Sequence, residues 1–144
     1  MKNLYNITEF LYDRTVDSGA IGTVVLSDKN GKNPLPVGAI VKNVTAKVIV
    51  APVSVGAATI SWGHSTVDAY SGTTIAIATL AINTLHNGQV AGSLIWDNAN
   101  DSQIPLLVTD ITTTGTFKMA IATEVITAGK IVFVVEWIEP AIEV

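Results

Sequence analysis

Lys130-Ile131-Val132-Phe133-Val134-Val135-Glu136-Trp137-Ile138 decides how this chain folds. Successive side chains of an extended strand point to opposite faces. Ile131, Phe133, Val135 and Trp137 therefore share one face, and Val132, Val134, Glu136 and Ile138 share the other. The first face is wholly apolar and the second largely so. A strand apolar on both sides is either central in a sheet or in contact with a second subunit.

The same period of two recurs upstream. Gly115 to Thr123 places Phe117, Met119 and Ile121 inward against Lys118 and Ala120. Ala57 to His64 places Ala58, Ile60 and Trp62 on one side, with Gly56 and Gly63 as brackets. In Ala39 to Ala51 the inward set is Val44, Val48 and Val50, with Asn43, Thr45 and Lys47 facing water. Pro52 is expected to end that run, because it has no N–H to give to a ladder. Ala20 to Ser27, Ala91 to Trp96 and Ile104 to Asp110 read as further short strands. Asp68 to Leu85 supports two readings: Thr73 to Leu80 alternates like a strand, while Ile75, Ala78, Ile82 and Leu85 would line a helix. Its β-branched content tilts it to strand.

Turn residues separate these runs. Asn30-Gly31 suits the positive φ of a tight turn. Leu35-Pro36-Val37-Gly38 sets a rigid entry to the long strand, since Pro fixes φ. Thr127-Ala128-Gly129-Lys130 is expected to reverse the chain before the last strand, with Gly129 free to take positive φ. About eight strands at even spacing give an all-β fold, an antiparallel two-sheet β-sandwich over residues 19–144.

Composition agrees. Val, Ile and Thr number 18, 16 and 17, so 51 of 144 residues are β-branched, against 9 Leu. Branching at Cβ favours pleated surfaces over helices. Charged residues are 14%, well below the roughly 25% of ordinary domains. A chain this poor in charge has a large core or a surface that meets other protein. Net charge is −4 and the 8 basic residues stand singly, so the clustered cations that release counterions from nucleic acid are missing. Without Cys there is no disulfide, thiolate metal site or Cys nucleophile. The first ten residues lack the apolar stretch of a signal peptide, and no run reaches the ~18 apolar residues of a membrane helix. The expectation is therefore no nucleic acid, no membrane, and assembly in the cytoplasm where the chain is made.

Residues 1–18 stand apart, with Tyr5, Phe10 and Tyr12 interspersed with Glu9, Asp13, Arg14 and Asp17 before Ser18-Gly19. They form either a first strand or short helix capping the core, or an arm docking on a neighbouring subunit.

Candidate chemistry is thin. His64 and His86 have no carboxylates at metal-ligand or acid–base spacing, and both are expected to be structural. Asp97-Asn98-Ala99-Asn100-Asp101-Ser102 is dense in oxygen ligands but lacks the Asp/Asn and Gly positions of a calcium loop, and reads as a solvated turn. No Gly-x-Ser-x-Gly elbow or phosphate loop occurs. Trp62, Trp96 and Trp137 invite a sugar-stacking reading, but Trp62 and Trp137 alternate in phase with aliphatic neighbours as core residues do. Thr109 to Thr116 reads as a hairpin connection. No catalytic residue, cofactor or metal is expected.

Gly19-Ala20-Ile21-Gly22-Thr23, Leu35-Pro36-Val37-Gly38-Ala39-Ile40-Val41, Gly56-Ala57-Ala58-Thr59-Ile60-Ser61-Trp62-Gly63 and Ile126-Thr127-Ala128-Gly129-Lys130-Ile131 leading to Val134-Val135-Glu136-Trp137 occur in that order. This series resembles small β-rich virion proteins of tailed bacteriophages, crAss-like phages included. It runs from about Gly19 to Ile138. Trp137 stands where Tyr is expected in many relatives. The resemblance implies a jelly-roll-like sandwich that decorates the head or builds a head fibre or tail, as a homo-oligomer and without catalytic residues.

Two functions follow as expectations. One is a non-enzymatic virion subunit, a capsid decoration protein or head-fibre subunit. It would contact copies of itself, a trimer being favoured, and other virion proteins such as the major capsid protein. Phe10, Tyr12, Val132, Val134 and Ile138 are its candidate oligomer contacts. The other is a carbohydrate-binding adhesion module with an exposed aromatic patch near residues 97–102 or 112–115.

Overall fold

A computed structural model describes residues 5–28, 40–63, 74–86, 106–107 and 117–138. Nine strands are formed there: β1 (Tyr5–Asp13), β2 (Gly22–Asp28), β3 (Ile40–Ser54), β4 (Thr59–Gly63), β5 (Ile75–Ala76), β6 (Leu85–His86), β7 (Leu106–Leu107), β8 (Phe117–Ala122) and β9 (Ile126–Ile138). Every pairing is antiparallel. The ladder runs β5-β4-β8-β2-β1-β9-β3-β6, with β7 also on β3. It folds back at the β1–β2 junction, where Phe10–Asp28 and Leu11–Ser27 are the paired positions. One layer is thus β1, β9, β3, β6 and β7, and the other is β2, β8, β4 and β5. This is the antiparallel two-sheet sandwich expected from the alternation.

Aromatic side chains fill the space between the layers. Phe10 of β1 stacks on Phe117 of β8 with ring centroids 4.8 Å apart. Phe133 of β9 meets Phe117 at 5.1 Å and Trp62 of β4 at 5.2 Å. Such pairs add to the area they bury, each by about 0.5–1.5 kcal/mol. Ile131, Phe133, Val135 and Trp137 face inward as the period requires, as do Phe117, Met119 and Ile121, and Ala58, Ile60 and Trp62. The Trp137 indole N–H donates to Thr8 Oγ1 at 3.0 Å, which satisfies the one polar atom that this buried ring carries.

β9 is central: β3 pairs with it from Ile126 to Ile138 and β1 from Lys130 to Ile138. Its second apolar face is therefore the outer face of the sheet. β1 pairs with both β9 and β2, and Tyr12 near its end donates its hydroxyl to Ser18 O at 3.2 Å.

Four expectations are corrected. Val50 is 45% exposed, not inward, because the register with β9 shifts between Val48 and Val50 and flips the faces. Pro52 does not end β3, which continues to Ser54; Pro52 sits between two further register shifts, where a missing N–H is tolerated. Chain reversal before β9 falls at Thr123-Glu124-Val125, with Thr123 at φ 71°, and not at 127–130. Gly129 does take positive φ, 142°, but inside β9, where a Cβ would lie 2.8 Å from Pro52 Cα. Finally, residues 75–80 form neither a long strand nor a helix. Ile75 and Ala76 pair with β4, and Ile77–Thr79 make one 3-10 turn. Ile77 and Leu80 are buried, and Asn83 N–H reaches Val48 O at 2.9 Å. The segment crosses from one sheet to the other and closes the side of the sandwich.

The readings at 30–38, His64, Ala91 to Ser102 and Thr109 to Thr116 lie outside the described residues.

Candidate interaction surface

Pairing sets the rows of side chains on the outer face of the β1-β9-β3 sheet. Leu11 lies beside Val132, Val132 beside Lys47, and Lys47 beside Leu85 of β6. In the next row Glu9, Val134 and Thr45 are neighbours; beyond it stand Ile7, Glu136 and Asn43. Ile7 is 59% and Leu85 67% exposed, while Leu11, Val132, Val134 and Ile138 are half-buried by their neighbours. Each of these aliphatics points away from the core. Their adjacency makes a patch, which scattered surface aliphatics would not.

Of the five candidate oligomer contacts, Val132, Val134 and Ile138 lie on this face. Phe10 and Tyr12 do not: at 2% and 0% exposure they are part of the chain's own core, because β1 turns them inward against β8. Ile7 and Leu11 were legible as the opposite phase of the same strand. Leu85 was not, because its place depends on a two-residue pairing with β3.

One margin of the face carries charge. The Asp13 carboxylate accepts the Thr15 hydroxyl at 2.6 Å and Thr15 N–H at 3.0 Å, and Lys130 Nζ lies 3.4 Å away. These contacts, the Thr15 hydroxyl first, hold the Asp13 carboxyl below its ordinary value. Burial pushes the Tyr12 phenol up to about 12. Asp13, Arg14, Val50, Thr127, Gly129 and Lys130 line a cleft of about 450 Å³. Arg14 Nε donates to Ile126 O at 2.9 Å, and Lys130 pairs with Asp13.

His86 is half-buried, with Nε2 2.8 Å from Thr84 Oγ1. Among the described residues no three His, Asp or Glu converge as metal ligands, and no helix is long and apolar enough to cross a membrane. Trp62 and Trp137 are inside the core and present no ring to a sugar.

No family model matches the chain, and no curated protein does. Solved structures do. A chain of the cyanophage Pam1 capsid asymmetric unit superposes with a TM-score of 0.51 at 19% identity, over 94% of this chain and 85% of that one. A chain of the acidic stable capsid structure of Helicobacter pylori bacteriophage KHP30 does so at 0.52 and 15% identity, over 100% and 97%. The fold is one found in phage capsid structures. The resemblance to phage virion proteins seen in the sequence is thus met in three dimensions, at the level of the fold.

Proposed function

We propose that this chain is a non-enzymatic structural subunit of a phage virion, a capsid decoration protein or head-fibre subunit, assembled in the host cytoplasm. It acts by contact with copies of itself, as a trimer, and with other virion proteins such as the major capsid protein. The observation that carries the reading is the outward aliphatic face of the β1-β9-β3 sheet, on a sandwich whose core is already filled from within. Aliphatic surface gains most when another protein removes it from water. The capsid structures that share the fold support the same class of role. Light scattering on the purified chain tests it: an oligomer is expected at micromolar concentration. A single chain of 15.1 kDa up to millimolar concentration overturns it.

A further inference from the structure

Charges on the outer face of the β1-β9-β3 sheet are placed so that the face matches a reversed copy of itself. Along β9 the outward residues are Lys130, Val132, Val134 and Glu136. Reversing that order about Phe133 exchanges the two valines with each other and the lysine with the glutamate. The flanking strands extend each position into a row. Asp13, Lys130 and Val50 stand at one end, and Ile7, Glu136 and Asn43 at the other. Between them lie Leu11, Val132 and Lys47, then Glu9, Val134 and Thr45. Lys130 and Glu136 are both half-buried, and each is three residues, about 10 Å, from Phe133.

Two such faces can be stacked with their β9 strands antiparallel, about a two-fold axis that lies between them over Phe133 and at right angles to the strand. Lys130 of each copy then faces Glu136 of the other, and Val132 faces Val134. Glu9 falls over Leu11, Lys47 over Thr45, Asp13 over Ile7 and Val50 over Asn43, so no like charges face each other. Parallel stacking would set Lys130 on Lys130 and Glu136 on Glu136. Centring the antiparallel pair on Val132 or Val134 instead would set both charges on aliphatic side chains, and a covered charge without a partner is costly. The charges therefore select one direction and one register. Stacked sheets keep their strands within about 30° of each other, which displaces a pair so far from the axis by about 5 Å, within reach of lysine and glutamate side chains.

We propose that two copies of this chain pair through their outer β1-β9-β3 faces, β9 antiparallel to β9, with Lys130 of each against Glu136 of the other. The inference rests on the proposed assembly role and names one of its contacts. A face that matches itself closes at two chains, so the threefold contact of the proposed trimer belongs to other surfaces. Two charge reversals test it: Glu136→Lys, and Lys130→Glu combined with Asp13→Asn so that Asp13 does not repel the introduced charge. Sedimentation velocity reads the doubling step, from one chain to two or from three to six. Each reversal alone sets like charges across the axis and should weaken that step at least about tenfold. Mixed in equal amounts, the two should pair with each other about as tightly as wild type, since every charge then faces its opposite. Melting curves near wild type are expected, because charges at part-exposed positions add little to folding. Glu136→Gln, which removes charge with little change in size, should weaken doubling about threefold and keeps the test independent of folding. A reversal that doubles like wild type, or a mixture no tighter than its components, overturns the inference and leaves the assembly role standing, as does a wild-type chain that stops at three. A wild-type chain that stays single overturns both.

Discussion

Outward positions on the β1-β9-β3 sheet include Ile7, Leu11, Val132, Val134 and Ile138, joined by Leu85 from β6; on the β2-β8-β4 sheet they include Thr23, Val25, Lys118, Ala120, Ala122 and Thr59. Among the described residues at these positions, six aliphatics larger than alanine stand on the first face and one, Val25, on the second. The inner faces show no such contrast, because Phe10, Phe133 and Val135 on one sheet answer Phe117, Met119 and Trp62 on the other. Holding the two layers together therefore does not require aliphatics outside. Burial by another protein, as proposed above, is the physical process that would reward their concentration on one face.

The most severe way to test the equality of the inner faces is to cut the core from each side. Phe117→Ala and Phe133→Ala should each lose about 3–5 kcal/mol, because both leave a cavity in the same aromatic cluster. Urea unfolding followed by circular dichroism measures it. Losses that differ by more than a factor of two would mean that the sheets are unequal inside as well as outside.

A smaller effect bears on the outer faces directly. Ile7→Asp with Leu85→Asp should weaken self-association at least about tenfold. Thr23→Asp with Ala122→Asp on the opposite sheet should leave it unchanged. Analytical ultracentrifugation of the two double variants decides between the faces, and equal weakening would erase the distinction.

The smallest expected effect belongs to pH. Tyr12 lies on the first sheet and its phenol is raised from 10.0 to about 12. Burial disfavours the phenolate, so the protonated group contributes stability that is complete below pH 10 and lost as pH rises towards 12. Asp13 has the opposite sign: its lowered value contributes stability above the ordinary carboxylate range that is lost on acidification. Tyr12→Phe should flatten the alkaline fall in melting temperature. An unchanged alkaline slope would place the titration elsewhere.

Much of this molecule was legible along the chain. Phe117-Lys118-Met119-Ala120-Ile121 and Ile131 to Trp137 alternate with no interruption, and each inward residue they imply is buried. β3 was legible only to Val48, because a bulge inserts a residue without leaving a mark in the hydrophobic pattern. The outer face was half legible: Val132 and Val134 stood out as apolar residues out of phase with the core. Phe10 and Tyr12 read along the sequence as oligomer contacts, because nothing local distinguishes an aromatic that fills the chain's own core from one that seeks a partner's.

Composition and period two determined that this chain would form antiparallel strands with one buried side, since those properties depend on neighbours one and two residues apart. The tertiary structure alone decided that β1 lies between β9 and β2, that residues 74–86 bridge the sheets, and that Ile126 N–H meets Gly19 O. Those features depend on pairings between residues far apart in the chain, such as Phe10 with Phe133, whose choice is made by the packing of the whole sandwich.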